Sequence, residues 1–266
     1  VKTISVIAIL IISLCFLWGS IQKDQQQEKV HGQTIAIECA ASMNKPLEEI
    51  RNAYQDQHGV FIKVNYGGSG KLLGQLKIIS RSDIFIAADA SYIEMANEAG
   101  LINAQYPLAT MSPVIAVIKG NPKQILSIND LLKPDVRYAI ADPEVAAIGK
   151  ITKQLLVKHR LWKTILQYAK VTKPTVNDLA NDIKLGTVDA AIIWDAVAIQ
   201  FGNMDIIHVS QFAQQTKSVS LGILKNGPNL PATLHFVDYL TSKEKGLSIL
   251  RKHGFKTDTT SLLDKN

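Results

Sequence analysis

From Thr34 onward the apolar positions of this chain switch repeatedly between two rhythms. Residues 34–39 place apolar side chains at every second position and run into Ala40-Ala41-Ser42, the pattern of a buried strand that ends in small residues. Leu47, Ile50 and Tyr54 follow at the spacing of one helix face, with Ser42 ahead of them as the predicted N-cap and Gly59 at their end. Residues 60–66, rich in β-branched side chains, predict a second strand. Gly67-Gly68-Ser69-Gly70 then predicts a turn, and residues 71–76 a second helix. Residues 84–88 predict a third strand, and Asp89-Ala90-Ser91 opens a third helix, with Tyr92, Met95, Ala96 and Ala99 expected inward. Further strands are predicted at 114–118, 138–141, 188–194 and 219–224. Helices are predicted at 128–132, 148–159, 177–185 and along the tail, 232–253.

Strand, small-residue turn and helix in alternation predict an α/β fold with mostly parallel sheets. Such sheets receive ligands at the carboxyl ends of their strands, where helix N-termini converge. An anion placed there meets free backbone N–H groups and the positive end of the helix dipole. Ser42, the turn containing Ser69, and the turn after Asp142-Pro143 are the candidates for such a place.

Composition narrows the choice. The net charge is +6, from 29 basic and 23 acidic residues, but the lysines are scattered and nowhere interleaved with aromatics. That pattern argues against a nucleic-acid surface. Lys2 is the sole charge before Lys23, and an apolar run broken by two serines fills residues 4–18. This is the layout of a secretory signal or an N-terminal anchor, predicted for 1–21. A polar, Gln-rich tether follows at 22–32. Cys15 lies in the apolar run, where it is also a candidate lipid-attachment site, although Leu14 fits a lipobox poorly. Removal of the run would leave Cys39 as the single thiol, with no disulfide within the chain. No pair of cysteines and no set of histidines has metal-ligand spacing, so no metal and no cofactor are expected. The sequence places no histidine where it could activate Ser42 or Ser69, so no catalytic residue is expected and a hydrolase is the weaker reading. The effector domain of a transcription regulator would need a DNA-binding segment, and the N-terminus is apolar instead.

Seven stretches follow one another in order: Ala40-Ala41-Ser42; Tyr66-Gly67-Gly68-Ser69-Gly70-Lys71-Leu72; Asp83 to Asp89; Lys119-Gly120-Asn121-Pro122; Ala141-Asp142-Pro143-Glu144; Gly186 to Ile192; and Phe236 to Phe255. Together they resemble the periplasmic molybdate-binding proteins of ABC importers. The resemblance implies a two-lobed, Venus-flytrap fold, with lobe I from 33–110 plus 212–258 and lobe II from 111–211. It implies a monomer outside the cytoplasmic membrane that captures molybdate or tungstate and delivers it to a permease. Sulfate or phosphate is the alternative ligand. The implied donors are the hydroxyls of Ser42 and Ser69, backbone N–H groups at Ile148 and Val176, and an aromatic side chain that falls on Trp194. The family usually has a tyrosine at the last position and a small residue at the position of Ile148. Trp194 offers only its indole N–H. Asp195, next to it, either points away and caps the following helix, or the pocket differs by taking a metal or a water as an extra partner.

Overall fold

The structure, a computed structural model, describes residues 32–258 apart from position 80. The predicted N-terminal segment, with Cys15 and most of the tether, lies outside the described residues. Among these, no helix is long and apolar enough to cross a membrane.

Two five-stranded sheets, each flanked by helices, build two lobes. The first holds β1 (Thr34–Ala40), β2 (Phe61–Gly67), β3 (Ile84–Ala87), β4 (Ile102–Met111) and β10 (Lys217–Leu224) in the order β2-β1-β3-β10-β4. The second holds β5 (Pro113–Ile118), β6 (Tyr138–Ala141), β7 (Val171–Lys173), β8 (Ala190–Trp194) and β9 (Met204–Ile207) in the order β7-β6-β8-β5-β9. The strands that precede helices pair in parallel: β1 with β2 and β3, and β6 with β7 and β8. Antiparallel pairs come from the strands that carry the chain between lobes. β10 runs against β3 and β4, and β5 against β8 and β9. Each sheet is therefore mixed.

The lobes are joined where β4 passes through Ser112 into β5, and where the chain returns from β9 to β10. The Ser112 and Thr216 hydroxyls, one on each crossing, lie 3.1 Å apart. Apolar strand residues such as Ile35, Ile37, Phe85, Ile115, Ile140 and Ile192 are fully buried beneath the helices. Removing such surface from water is the main stabilising contribution.

Nine helices are described: α1 (Asn44–His58), α2 (Ser69–Ile78), α3 (Ser91–Glu98), α4 (Ala147–Lys158), α5 (Trp162–Tyr168), α6 (Val176–Lys184), α7 (Asp195–Phe201), α8 (Leu230–Thr241) and α9 (Gly246–Lys252). In α3 the inward residues are Tyr92, Ile93 and Ala96, while Met95, expected inward, is 39% exposed. The tail forms two helices, separated at residues 242–245.

Candidate functional site

β1 and β2 end at Ala40 and Gly67 in exact register, so the segments that follow them leave the sheet side by side. After β1 a 3-10 turn, Ala41–Met43, carries Ser42 ahead of α1. After β2, Gly68 leads into α2, whose first residue is Ser69. From the other lobe, Ala146 leads into α4 and Thr175 into α6, putting Ile148 and Val176 at helix starts. β8 ends at Trp194. These termini meet in one small cavity between the lobes, lined by Ala40, Ala41, Ser42, Gly67, Gly68, Ser69, Ala88, Ala146, Ala147, Ile148, Val176 and Trp194. All five sequence-derived residues, Ser42, Ser69, Ile148, Val176 and Trp194, are brought together there. The small residues between them were foreshadowed only as small-residue strand ends.

Ser42 is not the N-cap of α1. That position is Met43, and the Ser42 hydroxyl caps nothing. Its side chain is 1% exposed and its oxygen has no hydrogen-bond partner in the protein. A buried polar group in that state loses roughly 1–3 kcal/mol of hydration without replacement. Ser69 is equally buried, but its Oγ accepts the Ala88 N–H at 3.1 Å. With that lone pair engaged, the Ser69 proton is free to donate elsewhere.

The backbone adds donors. The first N–H groups of a helix have no partner within it, and α2, α4 and α6 start at the cavity, although the Gly70 and Lys71 amides of α2 donate to the Val145 carbonyl. In α6 the Thr175 hydroxyl accepts the Asp178 N–H, a cap that leaves the earlier amides unclaimed by it. The dipoles of these helices place partial positive charge around a space whose lining holds no ionisable side chain.

Asp195 points away. Its Oδ1 accepts the Ser112 N–H at 2.9 Å and the Ala196 N–H at 2.8 Å, and it faces the crevice beside the crossing strands. Its charge therefore braces the junction between lobes rather than the cavity wall. The Cys39 thiol lies behind the site, with burial foremost and Glu38 and Glu48 next pushing its pKa well up. It is no nucleophile in that state.

The cavity is closed by direct contact between the lobes. Gly70 N and Lys71 N donate to the Val145 carbonyl at 3.0 and 3.3 Å. Gly68 packs so close that a Cβ there would lie 2.3 Å from the Val145 oxygen and 2.9 Å from that of Pro174. Only glycine permits this approach. As the lobes stand, the cavity has room for about one water molecule. A larger groove of about 540 Å³ runs along the outer rim between α2, α3 and α4. It is solvent-open, lined by Lys77, Lys150, Lys153 and Glu144 among mostly apolar side chains, and no strand ends in it.

The sequence model of the bacterial extracellular solute-binding protein family matches residues 35–256. A molybdate-binding protein, ModA, of Mycobacterium tuberculosis is 26% identical over 227 residues, covering 84% of each chain. YvgL of Bacillus subtilis, assigned as an ABC transporter substrate-binding lipoprotein, is 25% identical over 229 residues, covering 85% of this chain and 87% of its own. Among solved structures, the periplasmic molybdate-binding protein of Azotobacter vinelandii superposes with a TM-score of 0.71 at 18% identity, covering 83% of this chain and 98% of that one. The sulfate-binding protein SubI of Mycobacterium tuberculosis gives 0.72 at 17%, covering 87% and 89%. At such identities the superpositions speak for the fold alone.

Proposed function

The chain belongs to the bacterial extracellular solute-binding proteins, and from that premise we propose that it captures a fully ionised tetrahedral oxyanion, molybdate or tungstate, between its lobes and passes it to the permease of an ABC importer. The observation that carries this reading is the Ser42 hydroxyl, buried at the cavity with no protein partner, beside a Ser69 hydroxyl whose oxygen is already engaged. Two hydroxyl donors and the amides of Ile148 and Val176 suit a guest that only accepts. A protonated anion would bring a donor with no acceptor to meet it, at a cost of about 1–3 kcal/mol. Trp194 supplies the remaining wall and its indole N–H.

The cavity, with room for about one water as the lobes stand, argues against a guest as large as a sugar phosphate, and a bare oxyanion would need the lobes to yield a little. The relatives named as molybdate-binding, at about a quarter identity, favour molybdate over sulfate and phosphate; tungstate is proposed beside it as an ion of nearly the same size. A hydrolytic role finds no support in the lining, which offers neither serine a general base. The lobe boundaries are proposed at 33–110 plus 212–258 and at 111–211, with the two crossings as the hinge. The reading places the protein outside the cytoplasmic membrane, with residues 1–21 as its export signal or anchor.

Calorimetry with molybdate, tungstate, sulfate and phosphate tests the proposal. Tight binding of the first two, with sulfate and phosphate at least about 100-fold weaker, supports it. No heat and no thermal stabilisation with any of the four would overturn it.

A further inference from the structure

Two lysines reach across the cleft in opposite directions, one from each lobe. Lys45, in the first turn of α1 in the first lobe, donates to the backbone carbonyl of Gln200 and lies 4.5 Å from the centre of the Phe201 ring. Both partners belong to α7 of the second lobe. Lys150, in the first turn of α4 in the second lobe, donates to Ser91 Oγ at 3.0 Å and lies 4.7 Å from the centre of the Tyr92 ring. Both partners belong to α3 of the first lobe. Each lysine thus crosses the cleft, bonds one neutral oxygen and covers one aromatic face.

Neither forms an ion pair with a carboxylate, although Lys150 shares its groove with Glu144, and Lys184 stands near enough to Lys45 to repel it. Among the described residues, Lys119, Lys123, Lys133, Lys153, Lys173, Lys252 and Lys256 each pair with a carboxylate, and most of the other lysines, exposed Lys63 among them, have no such partner. Lys45 and Lys150 each also occupy the helix end at which a cation opposes the dipole. Two helices, one from each lobe, both carry an unpaired ammonium at that end. The Lys45 side reaches the site directly, because the Gln200 side-chain amide donates to the Ser42 carbonyl at 3.1 Å.

We propose that Lys45 and Lys150 are charge-bearing straps that determine how long the bound oxyanion is retained, acting through lobe closure without touching it. This inference rests on the oxyanion reading above. Neutralising either lysine weakens a hydrogen bond and a cation–π contact across the cleft and removes attraction for the dianion. Both effects act on the closed, loaded state and hence mainly on escape.

The test is stopped-flow dissociation and calorimetry on the full chain with tungstate as the probe. Variants are Lys45→Gln, Lys150→Gln, the double variant, the corresponding arginine variants, and Lys63→Gln as an exposed control of equal charge change. Dissociation should quicken about 3- to 10-fold for each single glutamine variant and roughly multiplicatively for the double, with association changed far less. Arginine should restore retention, which mere side-chain packing of a glutamine would not. Wild-type dissociation in the double variant, or an equal effect from Lys63→Gln, overturns the straps and leaves the oxyanion reading intact. Should the double variant fail to fold, the single variants decide by the same criterion. If wild type binds no tungstate, the oxyanion reading falls first. The straps are then judged by small-angle scattering, where a wild-type radius of gyration in the glutamine variants rejects them and an expanded one upholds them.

Discussion

Ser42 and Ser69 are both 1% exposed at one cavity, yet only Ser69 has a protein partner, the Ala88 amide at 3.1 Å. The same substitution should therefore act differently at the two positions. Ser42→Ala removes an unpaired buried hydroxyl and is expected to leave the melting temperature of the ligand-free protein unchanged or slightly higher. Ser69→Ala strands the Ala88 N–H and is expected to lower stability by about 1–3 kcal/mol. Both should weaken oxyanion affinity, by about 10- to 100-fold each, as a charge-assisted hydrogen bond is lost. Denaturant melts and calorimetry on the two variants separate these effects, and unchanged affinity in both would remove the serines from the site.

Gly68→Ala places a methyl group where the Val145 and Pro174 carbonyls now stand, at 2.3 and 2.9 Å. Backbone cannot yield as a flexible side chain would, so the lobes are expected to stay apart. Affinity should fall by more than about tenfold, with a larger radius of gyration in the presence of ligand and little change in unfolding of the free protein. Scattering and calorimetry read both quantities.

Asp195→Asn keeps an oxygen for the Ser112 and Ala196 amides and removes the charge. Because the carboxylate faces the crossing strands, oxyanion affinity should change by less than about threefold. A large gain in affinity would mean that the charge reaches the cavity. Asp195→Ala, which leaves both amides unmet, should cost about 1–3 kcal/mol of stability in a urea titration.

His58 sits between Tyr54, His235 and Tyr239, with neither ring nitrogen hydrogen-bonded. Burial, then His235 and Lys245, lowers its pKa from 6.5 to about 4. The unfolded chain therefore takes up this proton first. The contribution to stability is complete above pH 6.5 and is lost as pH falls towards 4, to the extent of about 3 kcal/mol. His235, also lowered by burial, adds to the loss in the same direction. Melting from pH 7.5 to pH 4.5 should show the decline, and His58→Phe should flatten it. An equal slope in that variant would refute the assignment.

Much of the fold was legible because its signals are local. β3, β6 and β8 are central strands buried on both faces, so they read as apolar runs, while β1 alternates and reads by its period of two; small residues and helices follow. The sequence missed β4, β7 and β9, and all three lie at sheet edges. An edge strand is half-exposed, and β4 even accommodates Pro107. α5 was missed too, since it buries only Ile165 and shows no apolar stripe.

By itself the sequence determined that helices start after small-residue strand ends, and its ordered likeness to one family picked out Ser42, Ser69, Ile148, Val176 and Trp194. The tertiary structure decided that these five share one cavity, that Ser42 caps nothing, and that Asp195 turns to Ser112. It also decided that Lys45 and Lys150 cross the cleft. Each of these depends on a partner far along the chain: Gln200 for Ser42, Ser112 for Asp195, Ser91 for Lys150. Periodicity and capping report only neighbours within a few residues. Contacts across a cleft are set by how two independently built lobes meet, and no local pattern encodes that meeting.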